Sequence, residues 1–223
     1  MTASTLAAAA TERAQHIRQR GDRPSQRRSS PEQGSRAVMR TRLTSVQLRD
    51  AGSDGGTLEF SGLASATETG YEMWDWYGPY TEIVSAGAFT DTLARADLDV
   101  PLVLGHDQLR RIARTTTGTL QLVEADPGLT VAAQLDPADV DVAYIAPKLR
   151  SGLVDEMSFA FRIEAGQWSP DYEEYRITRV DIHRGDVAIV GYGANPYTGA
   201  GMRQPAAAPS SRARALLELA IAR

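Results

Sequence analysis

Apolar residues along this chain recur mostly at strand spacing. Met157, Phe159, Phe161 and Ile163 alternate with Ser158, Ala160 and Arg162, which predicts a strand over Val154–Ile163 with Ser158 on the face opposite the aromatics. Val100–Leu104 is a continuous apolar run and reads as a buried strand ending at Gly105-His106-Asp107. Val46–Arg49 and Leu58–Ala64 read as short strands separated by the turn-forming GSDGG at 52–56. Ile83–Val84 is a further short strand. Arg111–Arg114, Gly118–Glu124 and Leu129–Leu135 suggest a meander, with a turn at Asp126-Pro127-Gly128. Tyr175–Ile182 and Val187–Tyr192 add two more strands, and the aromatic and polar stretch YEMWDWYGPY at 71–80 suits a loop folded on the body.

Helical patterns are few. Residues 4–20 form an alanine-rich helix with little apolar surface to bury, and GAF at 87–89 opens a helix to about Ala96. Pro137–Leu149 is the best helix of the body, with Pro137 in its first turn and Pro147 demanding a kink or break. Residues 213–223 make a short amphipathic helix. Many short strands and few helices predict an α+β fold: a mostly antiparallel β-barrel or curled sheet with flanking helices.

Composition divides the 223 residues into a leader over 1–41, a body over 42–200 and an Ala/Pro linker with a short helix over 201–223. Residues 1–50 carry ten arginines against Glu12, Asp22, Glu32 and Asp50, a net charge of +6, while the rest carries 14 basic and 24 acidic residues, a net of −10. An acidic body argues against specific nucleic-acid binding. The basic leader reads as a solvated, disordered segment, with contact to nucleic acid or an acidic protein surface as the alternative. The absence of cysteine excludes thiolate metal sites, disulfides and cysteine nucleophiles. No apolar run reaches 18 residues, so no membrane span is expected.

Three histidines are present: His16 in the leader, His106 at a strand end, and His183. A serine hydroxyl becomes a useful nucleophile only beside a base such as imidazole, which in turn needs a third group to orient it. Taken singly, His106 reads equally as a capping or loop residue, Ser158 as a structural strand serine without a G-x-S-x-G elbow, and Asp186 as a turn acid before a strand. Asp136, Asp139 and Asp141 lack the glycine and final glutamate of a calcium loop and read as a helix start. No metal or cofactor is expected.

The order of these segments resembles the prohead (capsid maturation) serine proteases of tailed bacteriophages, a group related in fold to herpesvirus assemblin. The similarity runs from Leu58 to Thr198 through FSGLA at 60–64, IVSAGAF at 83–89, VLGHD at 103–107, GLTV at 128–131, LRSGL at 149–153, MSFAF at 157–161, DVAIV at 186–190 and ANPY at 194–197. The resemblance implies Ser158 as nucleophile, His106 as general base and Asp186 as the third member, with Asp181 and His183 as rivals. Substrate contacts are expected from Phe159, Ala160 and Asn195, with the Asn195 amide or a backbone N–H in 190–196 as oxyanion donor. It further implies the scaffold and major capsid protein as substrates, a location inside the immature capsid in the host cytoplasm, a possible homo-oligomer, and self-trimming in the linkers 21–36 and 205–214. The alternative is a non-catalytic assembly factor of the same fold that binds capsid or scaffold.

Overall fold

Strands with alternating buried and exposed positions build two open sheets in the computed structural model, which describes residues 3–27, 39–42, 47–50 and 56–191. The first sheet contains β1 (Met39–Arg42), β4 (Tyr71–Trp74), β5 (Pro79–Val84), β6 (Pro101–Leu104), β7 (Arg111–Arg114), β10 (Glu156–Trp168) and β11 (Glu174–Val190). The second has the order β2 (Gln47–Asp50), β3 (Leu58–Ala66), β9 (Gly128–Leu135) and β8 (Leu120–Ala125). Among the described residues three α-helices accompany them: α1 (Ala3–His16), α2 (Thr90–Leu93) and α3 (Val140–Arg150).

The long strand β11 organises the first sheet. One edge pairs antiparallel with β10. The other pairs parallel with β5 over Glu174–Ile177 and parallel with β6 over Val187–Ile189. The two sheets share one core: Phe60, Leu129, Val131 and Leu135 of the second meet Leu102, Met157, Phe159, Val187 and Ile189 of the first. Apolar side chains removed from water in this way supply the main driving force for assembly.

The expected barrel is corrected by this topology. Neither sheet closes on itself among the described residues: the first runs out at β1, β4 and β7, and the second at β2 and β8. The predicted meander is also split, because β7 pairs with β6 whereas β8 and β9 form a hairpin in the other sheet. Along one edge of β11 the pairing is parallel, where the expected barrel was mostly antiparallel.

The two strands expected over 175–192 are one. Ala160 pairs with Asp186 but Arg162 with Asp181, so residues 182–185 of β11 bulge opposite Phe161. Two backbone features permit this. Arg184 adopts the left-handed region at φ 59°, and a Cβ on Gly185 would lie 2.0 Å from the Ala160 carbonyl oxygen.

Three further expectations change. Residues 71–80 form the β4–β5 hairpin rather than a loop, because Asp75 accepts from the N–H groups of Tyr77 and Gly78 and closes the turn. The helix after GAF has only four residues. Helix α3 starts after its cap Asp139, whose carboxylate accepts from Asp141 N and Val142 N, and it runs through Pro147.

The basic leader is not free of the body over residues 3–27: most of it is exposed, but Ala9, Ala10, Arg13, Pro24 and Arg27 are buried. Arg13 of α1 is fully buried; its Nε lies 2.8 Å from Asp75 Oδ2, and its Nη2 donates to the carbonyls of Gly78 at 2.7 Å and Pro79 at 2.6 Å. Its guanidinium also lies over the rings of Tyr80 and Trp168. Arg27 Nε donates to Glu82 Oε2 at 2.5 Å, and Tyr71 and Tyr80 donate their hydroxyls to the same carboxylate. Burial and then the Glu82 charge push both phenols well above the ordinary tyrosine range. A buried carboxylate requires such donors, and two of the leader's arginines supply them. Composition alone counted their charge without their partners. The linker 205–214, the helix 213–223 and the end of the last expected strand beyond 191 lie outside the described residues.

Candidate active site

Strand register sorts the candidate residues by face. Ser158 pairs with Ala188 on β11, and Ala188 pairs with Val103 on β6, so these three form one row across the sheet. Met157, Phe159, Val187 and Ile189 point the other way, into the shared core. Val103, Ala188 and Val190 form a small separate cluster on the serine face. Small residues at 158, 160 and 188 thus floor this face, and Ser158 is fully buried.

Asp186 reaches the same face, two residues before Ala188 on β11. The bulge at 182–185 sets its position against Ala160, which makes Gly185 a structural requirement beside the carboxylate. Beyond β6, Gly105 and His106 both take left-handed backbone angles, each at φ 62°. Gly105 N still bonds to Ile189 O at 2.8 Å, while Asp107 N closes back on Leu104 O at 3.0 Å. A non-glycine residue held at positive φ stores local strain and is enriched where function fixes a geometry. Here the turn brings the imidazole to Asp186: His106 Nδ1 lies 2.6 Å from Asp186 Oδ1. A carboxylate accepts, so Nδ1 carries the proton and donates.

That tautomer leaves Nε2 as the acceptor. Nε2 of His106 is buried and has no hydrogen-bond partner among the described residues, so it is not bonded to Ser158 Oγ in this structure. Asp186 is 3% exposed, so solvent weakens the pair little. Asp186 Oδ2 accepts from Gln108 Nε2 at 2.6 Å. Gln108 was not among the residues singled out in the sequence; a glutamine two places after a histidine carries no chemical signature of its own.

The rival third members are engaged elsewhere. Asp181 Oδ1 accepts from Thr92 Oγ1 at 3.2 Å and from His183 N at 2.8 Å. His183 Nδ1 accepts from Asp99 N at 3.2 Å. His16 stacks on Tyr77, far along the chain in the leader contact.

Of the expected substrate contacts, Phe159 is corrected. Its ring is fully buried, stacked on Phe161 at 4.3 Å between centroids, because strand alternation turns it away from Ser158. Its backbone lies between β1 and β11, opposite Met39 and Val187. Ala160 lines a cavity of about 360 Å³ with Phe161, Arg162, His183 and Arg184. Asn195 and the remaining oxyanion segment beyond 191 lie outside the described residues. The acids at 136, 139 and 141 have separate tasks: Asp136 accepts from Ala138 N, Asp139 caps α3 and Asp141 pairs with Arg110 at 2.5 Å.

Comparison with known families decides the assignment: the caudovirus prohead serine protease family matches residues 44–210. The chain belongs to this family. Membership places the fold among capsid maturation proteases and makes serine proteolysis the family-level activity. No curated protein matches the chain. Among solved structures, the bacteriophage T4 capsid assembly protease gp21 is similar at 10% identity, with a TM-score of 0.38, covering 68% of this chain and 96% of that one. At that distance the likeness carries no argument about individual residues. Residues 3–27 lie before the family match, so their docking on the β4–β5 hairpin is a feature of this chain beyond the matched segment.

Proposed function

We propose that the chain is a serine endopeptidase in which Ser158 is the nucleophile, His106 the general base and Asp186 the group that orients His106. The observation that carries this reading is the imidazole itself: its Nδ1 is held by a buried carboxylate, and its buried Nε2 has no partner among the described residues. An acceptor held in this state is what proton removal from a serine hydroxyl requires.

The reaction is acyl transfer. His106 Nε2 takes the proton from Ser158 Oγ as Oγ bonds to the peptide carbonyl carbon. The tetrahedral adduct collapses, the C–N bond breaks, and the imidazolium returns the proton to the leaving amine. Water then repeats the sequence on the acyl-enzyme and restores the free serine. Asp186 keeps the Nδ1 proton in place and stabilises the imidazolium throughout.

The substrates in this reading are the scaffold and the major capsid protein, cut inside the immature capsid. The chain also trims itself at segments rich in small residues. Residues 21–27 are unsuited to such trimming because Arg27 is buried on Glu82, which directs it to 28–36 and 205–214.

The test is coexpression with the capsid and scaffold proteins encoded alongside it. Ser158→Ala is expected to stay folded and to leave both at full length by mass spectrometry, while the wild type shortens them. Processing at the wild-type rate by Ser158→Ala would favour the non-catalytic assembly factor.

A further inference from the structure

We infer that Gln108 is a positioning residue that locks the Asp186 carboxylate to His106, an inference that rests on the catalytic reading above. Both oxygens of Asp186 are taken by one turn. His106 donates to Oδ1 at 2.6 Å and Gln108 Nε2 donates to Oδ2 at 2.6 Å. With Asp186 3% exposed, solvent offers little to satisfy Oδ2 if the amide leaves.

The direction of the amide is fixed from behind. Arg111 Nη2 donates to Gln108 Oε1 at 3.2 Å, and Arg111 Nε donates to the Gln108 carbonyl at 2.7 Å. A guanidinium has only donors, so Oε1 faces the arginine and the NH₂ faces Asp186. The turn is rigid as well: Asp107 Oδ1 accepts from Leu109 N at 2.9 Å, and Arg110 N donates to Asp107 O at 3.0 Å. The relay Arg111–Gln108–Asp186–His106 thus fixes the rotation of the carboxylate and thereby the tautomer and plane of the imidazole.

Other charges near the relay are accounted for. Asp99, Arg114 and Arg184 line the cavity of about 250 Å³ that Gln108 and Arg111 share. Asp99 and Arg114 neutralise each other at 2.7 Å. On β10, Glu156 lies on the Ser158 face by alternation. Asp107, on the turn itself, is committed to Leu109 N.

Gln108→Leu removes the donor and leaves an unneutralised oxygen that holds the imidazolium proton more tightly. The expected result is a fall in kcat of about tenfold with KM little changed, as expected for the loss of one charge-assisted hydrogen bond. The acid limb of kcat/KM is expected to move to higher pH. Arg111→Met, at an exposed position, frees the amide to turn over and gives a smaller shift in the same direction. A second readout needs no proteolysis. In a Ser158→Ala background, ¹⁵N NMR follows the His106 imidazole, identified by its loss in His106→Ala among three histidines. Its titration midpoint is expected to rise with Gln108→Leu. An unmoved midpoint in both Gln108→Leu and Arg111→Met overturns the inference. A moved midpoint in a chain whose wild type cuts neither capsid nor scaffold protein overturns the catalytic reading and leaves the relay standing.

Discussion

His106 Nδ1 and Asp186 Oδ1 stand 2.6 Å apart across 80 residues of chain. That contact separates Asp186 from Asp181 and His183, whose polar atoms bond to Thr92, to backbone N–H groups and to one another's segment. In the proposed mechanism it also divides the labour of the imidazole, one nitrogen for orientation and one for the proton of Ser158.

Replacing Asp186 by asparagine tests that division. The amide keeps the size of the side chain but turns a pure acceptor into a group with both donor and acceptor ends, so the Nδ1 tautomer is no longer enforced. Cleavage of the capsid substrate is expected to fall by about 10⁴-fold in kcat, as when a triad aspartate is made neutral. Single-turnover kinetics on purified protein, with circular dichroism to show an intact fold, checks it. Activity within tenfold of wild type would remove Asp186 from the machinery.

The leader offers a stability test. Arg13→Ala strands the buried Asp75 carboxylate, which then keeps only the N–H groups of Tyr77 and Gly78. Breaking a buried pair from one side costs about 3–5 kcal/mol. Residues 3–27 are expected to become sensitive to added trypsin while the body resists longer, as seen by mass spectrometry of a digestion time course. Equal protection of the leader in wild type and variant would show that the pair does not hold it.

Tyr175 gives a pH-dependent prediction. Its ring is fully buried, its hydroxyl has no hydrogen-bond partner among the described residues, and burial pushes its pKa up to about 12. A group whose folded pKa is raised contributes stability that is fully present below its unfolded value, about 10, and is lost as pH rises toward the folded value. Tyr175→Phe removes both the unsatisfied hydroxyl and the ionisation. The variant is expected to match or exceed wild type by about 1 kcal/mol at pH 7 and to lead by more above pH 10. Urea melts at pH 7, 9 and 11 measure the difference; a lead that shrinks with pH contradicts it.

Strand periodicity carried much of this site in the sequence. The alternation around Ser158 fixes its face, and the apolar run ending at Leu104 predicts that His106 follows a buried strand; both hold. What periodicity could not carry was pairing. β11 uses different halves of one edge for β5 and β6, and nothing in the local pattern of residues 174–190 separates parallel from antiparallel partners. The bulge at 182–185 read as a break between strands, because Arg184-Gly185 has the composition of a turn. Arg13 and Arg27 looked like solvated charge for the same reason: their carboxylates lie 62 and 55 residues away. Gln108 was silent because its role depends on a carboxylate 78 residues further on.

The separation of these partners also sets a clock. β6 and His106 leave the ribosome well before Ser158, and the acid that orients the imidazole comes last of the three, near residue 186. At typical synthesis rates of about 5–20 residues per second, some 80 residues take on the order of ten seconds. During that interval the nascent chain holds a histidine without its carboxylate and a β6–β7 hairpin without the strand beside it. Because the site is built from non-local strand pairs, which form late and slowly, the His106–Asp186 contact cannot close in a growing chain until β11 has been made.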